Sequence, residues 1–166
     1  QWEQARRDFS TREYGTLILD NDGLFELPVR LSESLPTPGH VPSVGSRIEV
    51  SMISDAGVWE SVVSGFGTVE VTNWGEVPIW PTVVWSGAGG DVVLPSGVGF
   101  RLPQVSAEHR LSLDRRASGK AVNSLTGAKV NTDAVGEMVP VGQSRSYTLP
   151  SGVKLEWRVG VFDPWN

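Results

Sequence analysis

Two histidines, nineteen acids and no cysteine bound the chemistry open to this chain. A hydrolase needs a nucleophile, a base within reach and a group that orients the base. His109, Asp114 and a serine supply those residue types, but no Gly-x-Ser-x-Gly elbow presents the serine. His40 falls in a proline-dense loop and His109 at the start of a strand, and both are expected at the solvated surface. Two distant histidines without a thiolate make no zinc site unless carboxylates join them. Asp20-Asn21-Asp22-Gly23 has the spacing that opens a calcium loop, yet the twelfth position, where a bidentate glutamate belongs, is Leu31. A hairpin turn accounts for the same four residues. Gly87-Ala88-Gly89-Gly90 lacks the lysine of a phosphate loop. Arg115-Arg116-Ala117-Ser118 matches a kinase acceptor and equally a basic turn. A glycosidase pair depends on the fold, and nothing singles out two of the nineteen acids. The expectation is a protein that is not an enzyme and carries no metal or cofactor.

Seven tryptophans remain. Trp157 alternates with charged residues and is expected in a core, as are Trp59 and Trp85 in their apolar runs. Trp74 lies between Asn73 and Gly75, in a turn, where a large side chain gains little from its own strand. Trp80 precedes Pro81, and Trp165 follows Pro164. An aromatic face held out at a loop suits either a protein partner or a sugar. Trp74, Trp80 and Asn73 are therefore the candidate partner- or ligand-binding residues, with Glu76 and Thr82 the nearby polar groups a sugar would use.

The elements that hold them show a period of two. Val153, Leu155, Trp157, Val159 and Val161 alternate with Lys154, Glu156, Arg158 and Gly160, which predicts a central strand with one buried face. Ile48, Val50 and Met52, Val69 and Val71, and Leu111 and Leu113 alternate in the same way. Turn residues interrupt these runs at Asp55-Ala56-Gly57, Asn73-Trp74-Gly75 and Pro150-Ser151-Gly152, and Gly plus Pro totals 30 of 166 residues. Many short strands with frequent turns predict an all-β antiparallel β-sandwich with little helix, the helical candidates being residues 2–9 and Thr132–Glu137. Residues 46–166 form the expected sandwich, densest over 67–166. Residues 1–45, which run into the loop Leu35–Pro42, form an arm or the end of a preceding domain.

Composition narrows the partners. Residues 1–66 carry ten acids against five bases and residues 67–166 nine of each, so neither part has the basic footprint of a nucleic-acid binder. No run approaches the ~20 apolar residues of a membrane span. The chain opens on Gln1 rather than Met, and a fragment or processed product is expected.

The stretch Thr68–Gly87, TVEVTNWGEVPIWPTVVWSG, resembles the strand–turn–strand that opens the carboxy-terminal domain of siphophage distal-tail and minor tail proteins. The later course is similar as well: Leu-Ser-Leu-Asp at 111–114, a hairpin with Asn123 and Gly127, a Pro-x-Gly turn at 140–142, Ser146-Tyr147-Thr148-Leu149 and a final tryptophan-bearing strand. This resemblance covers residues 67–166 and implies a jelly-roll, galactose-binding- or galectin-like sandwich. It also implies a structural component of a phage tail tip, made in the bacterial cytoplasm and carried in the virion. The implied partners are other tail proteins and copies of the chain in a ring-like homo-oligomer. The alternative is a carbohydrate-binding module of a phage adhesin or secreted enzyme, with a host cell-surface glycan as partner. No sugar site or catalytic residue is carried over from such a fold.

Overall fold

A computed structural model describes residues 10–21, 23–35 and 49–165. All regular structure among them is β-strand, and the fold is an all-β antiparallel sandwich. The chain divides into two compact units, residues 1–59 with 162–166 and residues 60–161. The helical candidate at 2–9, His40, Ile48 and the proline loop from residue 36 onward lie outside the described residues.

In the first unit, β1 (Gly15–Asp20) and β2 (Leu24–Leu31) form a hairpin in register from Asp20↔Leu24 to Gly15↔Val29. Asn21 and Gly23 lie in the hairpin turn, where the Asn21 N–H donates to the Gly23 carbonyl at 3.0 Å; Asp22 lies outside the described residues. Phe25, Val29 and Leu31 are buried on β2. The strand expected around Ile48–Met52 is reduced to β3 (Met52–Ile53), a two-residue pairing with Arg30 and Leu31, and both of its residues are exposed. The Tyr14 hydroxyl donates to Asp55, which also pairs with Arg30 at 3.3 Å. That hydroxyl first, and the Arg30 charge after it, hold the Asp55 carboxyl below its ordinary value.

The second unit contains the sandwich. Its strands are β4 (Trp59–Phe66, whose first residue belongs to the first unit), β5 (Thr68–Thr72), β6 (Thr82–Gly87), β7 (Gly90–Val93), β8 (Gly99–Leu102), β9 (Val105–Ser112), β10 (Lys120–Asn123), β11 (Lys129–Asn131), β12 (Ser144–Thr148) and β13 (Lys154–Val161). One sheet runs β4-β13-β6-β9-β10-β11 and the other β5-β12-β7-β8. The alternation of β13 is realised: Val153, Leu155, Trp157, Val159 and Val161 are all buried. Val69 and Val71, Leu111 and Leu113, Trp85 and Tyr147 fill the same core.

β5 and β6 belong to opposite sheets, and residues 73–81 carry the chain across. Two expectations are corrected here. Thr132–Glu137 is extended rather than helical. A Cβ at Gly136 would stand 2.2 Å from the Leu113 carbonyl oxygen, so this segment lies against the β9 end as a close-fitting strap. His109 is buried, not solvated. It shares the inward register of Leu111 and Leu113, its ring lies 5.9 Å from that of Trp85, and Nδ1 is 2.9 Å from the Ala107 carbonyl.

The outward face of the first sheet is covered by charge. Val84 lies opposite Arg110 and Lys154 and is 3% exposed, shielded by the stems of long charged side chains. Glu156 accepts from both Arg110 and Lys154. Burial pushes its carboxyl up, but those two cations outweigh burial and leave it below its ordinary 4.5. A carboxyl with a depressed folded pKa stabilises the fold above its unfolded pKa and loses that contribution as pH falls through the folded value. The urea midpoint is therefore expected to hold from neutral pH down to about 4.5 and to fall below it. Glu156→Gln should blunt that fall; an unchanged acid slope in the variant would assign the loss to other carboxylates.

Candidate interaction surface

The connection from β5 to β6 begins at Asn73, one of three buried polar residues among those described. Its backbone extends the β5–β12 ladder: Asn73 N–H donates to Gln143 O at 2.9 Å, and Gly142 N–H donates to Asn73 O at 2.9 Å. The side chain turns inward. Nδ2 donates to Val77 O at 2.9 Å and Val139 O at 3.0 Å, while Oδ1 accepts from Gly75 N–H at 3.0 Å. One amide thus closes its own turn and ties it to the 139–143 segment. The next contacts fix the turn against β13. Glu76 N–H donates to Gly160 O at 2.8 Å, and a Cβ at Gly75 would stand 2.4 Å from that same oxygen. Only glycine fits there.

With 73 and 75 buried, alternation turns residue 74 outward, and Trp74 is 55% exposed on a backbone pinned from both sides. The neighbouring loop, tied on through Gly142, carries Val141 at 49% exposure. Both side chains stand at the end of the sandwich where β5 meets β12. Val141 was not singled out in the sequence, although its Pro140-x-Gly142 turn marks a loop tip.

The three candidate residues do not share one surface. Asn73 is fully enclosed, and its amide is spent on the fold. Trp80 is half-buried just beyond the Ile79–Val139 bridge. Of the polar groups beside them, Thr82 is half-buried in β6, opposite Ser112 and Glu156, and Glu76 is exposed.

Glu137 is a buried acid that sequence reasoning missed. Its carboxylate accepts from Ser96 N–H at 3.2 Å and from Arg145 at 3.0 Å, and its carbonyl accepts from the Tyr147 hydroxyl at 3.0 Å. Burial, with the Glu137 charge adding to it, pushes the Tyr147 phenol well above its ordinary value. This group braces the 132–139 strap to β12 and to the β7–β8 turn; Arg145 and Tyr147 lie eight and ten residues on and Ser96 forty-one back, and no local motif announces it.

Among the described residues no group of three or more His, Cys, Asp or Glu is placed to hold a metal ion, and no helix is long and apolar enough to cross a membrane. No protein family, no curated protein and no solved structure matches the chain.

Proposed function

We propose that this protein is a structural, non-catalytic component of a phage tail tip that acts through protein–protein contacts. The observation that carries the assembly part of this reading is Trp74, an indole held 55% exposed by a backbone with no slack. A large apolar face presented rigidly to solvent suits a partner surface, since little conformational entropy is lost when it is covered. The tail assignment is supported by the resemblance over residues 67–166, and it places the protein in the virion with other tail proteins and copies of itself as partners. A sugar would need hydrogen-bonding groups converging beside the indole, and the nearest of these, Asn73, is occupied.

Trp74→Ala should weaken association with tail proteins, or with other copies, by about tenfold or more while leaving the thermal unfolding midpoint unchanged. Sedimentation velocity and pull-down from tail preparations measure the first, and calorimetry the second. A saturable tryptophan-fluorescence response to cell-wall oligosaccharides that disappears in Trp74→Ala, with association intact, would replace this reading with a lectin.

A further inference from the structure

The first unit carries a cavity of about 470 Å³ beside β1, lined by Leu17, Val29, Leu31 and Met52, with Glu13 and Arg30 also on its wall, the latter paired with Asp55. β1 ends its sheet among the described strands, and nearly all of it is exposed, Leu17 at 41% and Ile18 at 59%. An apolar edge strand open to water is a template for association. The unit is acidic, with ten acids against five bases in residues 1–59 and 162–166.

The β10–β11 hairpin has the opposite character. Residues 115–132 hold four bases, Arg115, Arg116, Lys120 and Lys129, and no acid, although Arg116 is paired with Asp114 and the Ser124 hydroxyl donates to the Glu108 carboxylate. At its tip stands Leu125, 87% exposed. The tip is rigid: Asn123 Oδ1 accepts from Leu125 N–H and Thr126 N–H, both at 2.9 Å, and Ser124 N–H donates to Glu108 O at 3.0 Å. Within the sandwich this tip and Trp74 point to opposite ends. The register Asn123↔His109↔Trp85 runs on toward Gly87, whereas the Trp74 turn sits at the Thr82 and Gly160 end.

We propose that the cavity beside β1 receives Leu125 from the hairpin of a second copy of this chain. Leu125 fills the apolar wall formed by Leu17, Val29, Leu31 and Met52, and Lys129 faces Glu13, the acid on that wall. The two surfaces differ, so the contact is heterologous: copies join head to tail and either close into a ring or continue as a filament. The choice of another copy as partner rests on the assembly reading above, and the choice of surfaces rests on charge and shape.

Mixing two variants of the full chain tests this. Leu125→Asp removes the knob and keeps the cavity; Leu17→Lys puts a base in the cavity and keeps the knob. By sedimentation velocity the wild type should associate, less so as salt rises past about 0.1 M, where charges are screened beyond about 10 Å. Each variant alone should be monomeric, and their equimolar mixture should give a 1:1 dimer and nothing larger. If Leu17→Lys fails to fold, Met52→Lys, at a side chain 39% exposed, replaces it. A wild type that stays monomeric, a variant that associates like the wild type, or a mixture that stays monomeric overturns the proposal. The second and third outcomes leave assembly through Trp74 standing, and that reading fails separately if Trp74→Ala loses no partner.

Discussion

Trp157→Ala is expected to destabilise the protein by ~3–5 kcal/mol, the range for truncating a large aromatic in a packed core. The indole sits midway along β13, which is paired on one side with β4 and on the other with β6, and it is 8% exposed. Eight extended residues span about 26 Å, enough to cross the sandwich, so the Trp157 face is enclosed from both ends. Leu155 and Val159, its neighbours on that face, are fully buried, and Leu155 is held in the ladder opposite Val83 of β6, which limits how far the core can relax into the void. At a urea dependence of about 2 kcal/mol per molar, the unfolding midpoint should fall by about 1.5–2.5 M. A shift worth under ~1 kcal/mol would mean that the sandwich does not close over this face.

What could be read beforehand follows from how local the signal was. The β13 alternation, the Asn123–Gly127 hairpin and the Pro150–Gly152 turn are each set by residues next to one another in sequence, and each appears in the fold where the pattern put it. The assignment of strands to sheets was not local. Val69 and Val71 on one side and Val83 and Trp85 on the other make similar strand patterns, and only pairing with distant residues, β5 with β12 and β6 with β9 and β13, separates the two. His109 shows a different failure. Val105, His109, Leu111 and Leu113 share one register and all are buried, so alternation points inward and is a stronger signal here than the polarity of a single residue. The site was half legible. Asn73-Trp74-Gly75 announced a turn and an outward indole, but the inward amide could not be seen, because two of its partners are the carbonyls of Val77 and Val139. Leu125 drew no notice because a leucine in a polar hairpin loop has no periodic partner against which to be judged.

Asn73→Ala should produce the second large effect, and it couples stability to the site. The change removes three hydrogen bonds at a position with no exposure; the Val139 carbonyl keeps the Ile79 N–H, while the Val77 carbonyl and the Gly75 N–H must find water or go without. Buried groups stranded in this way cost about 1–3 kcal/mol each, and partial access of water near Val77 brings the sum to roughly 2–4 kcal/mol. The turn then loses its internal tie, so the Trp74 backbone gains freedom that a partner would have to remove. Association should fall along with stability, whereas Trp74→Ala lowers association alone. Asn73→Asp sharpens the argument. Its carboxylate still accepts from Gly75 N–H but faces the oxygens of Val77 and Val139, to which only the protonated acid can donate. Burial and those oxygens raise its pKa in the fold, so the stability of this variant is greatest at acid pH and is lost as pH rises through that raised value. A midpoint for Asn73→Asp that rises monotonically from acid to neutral pH, relative to the wild type, would show that the amide does not make these bonds.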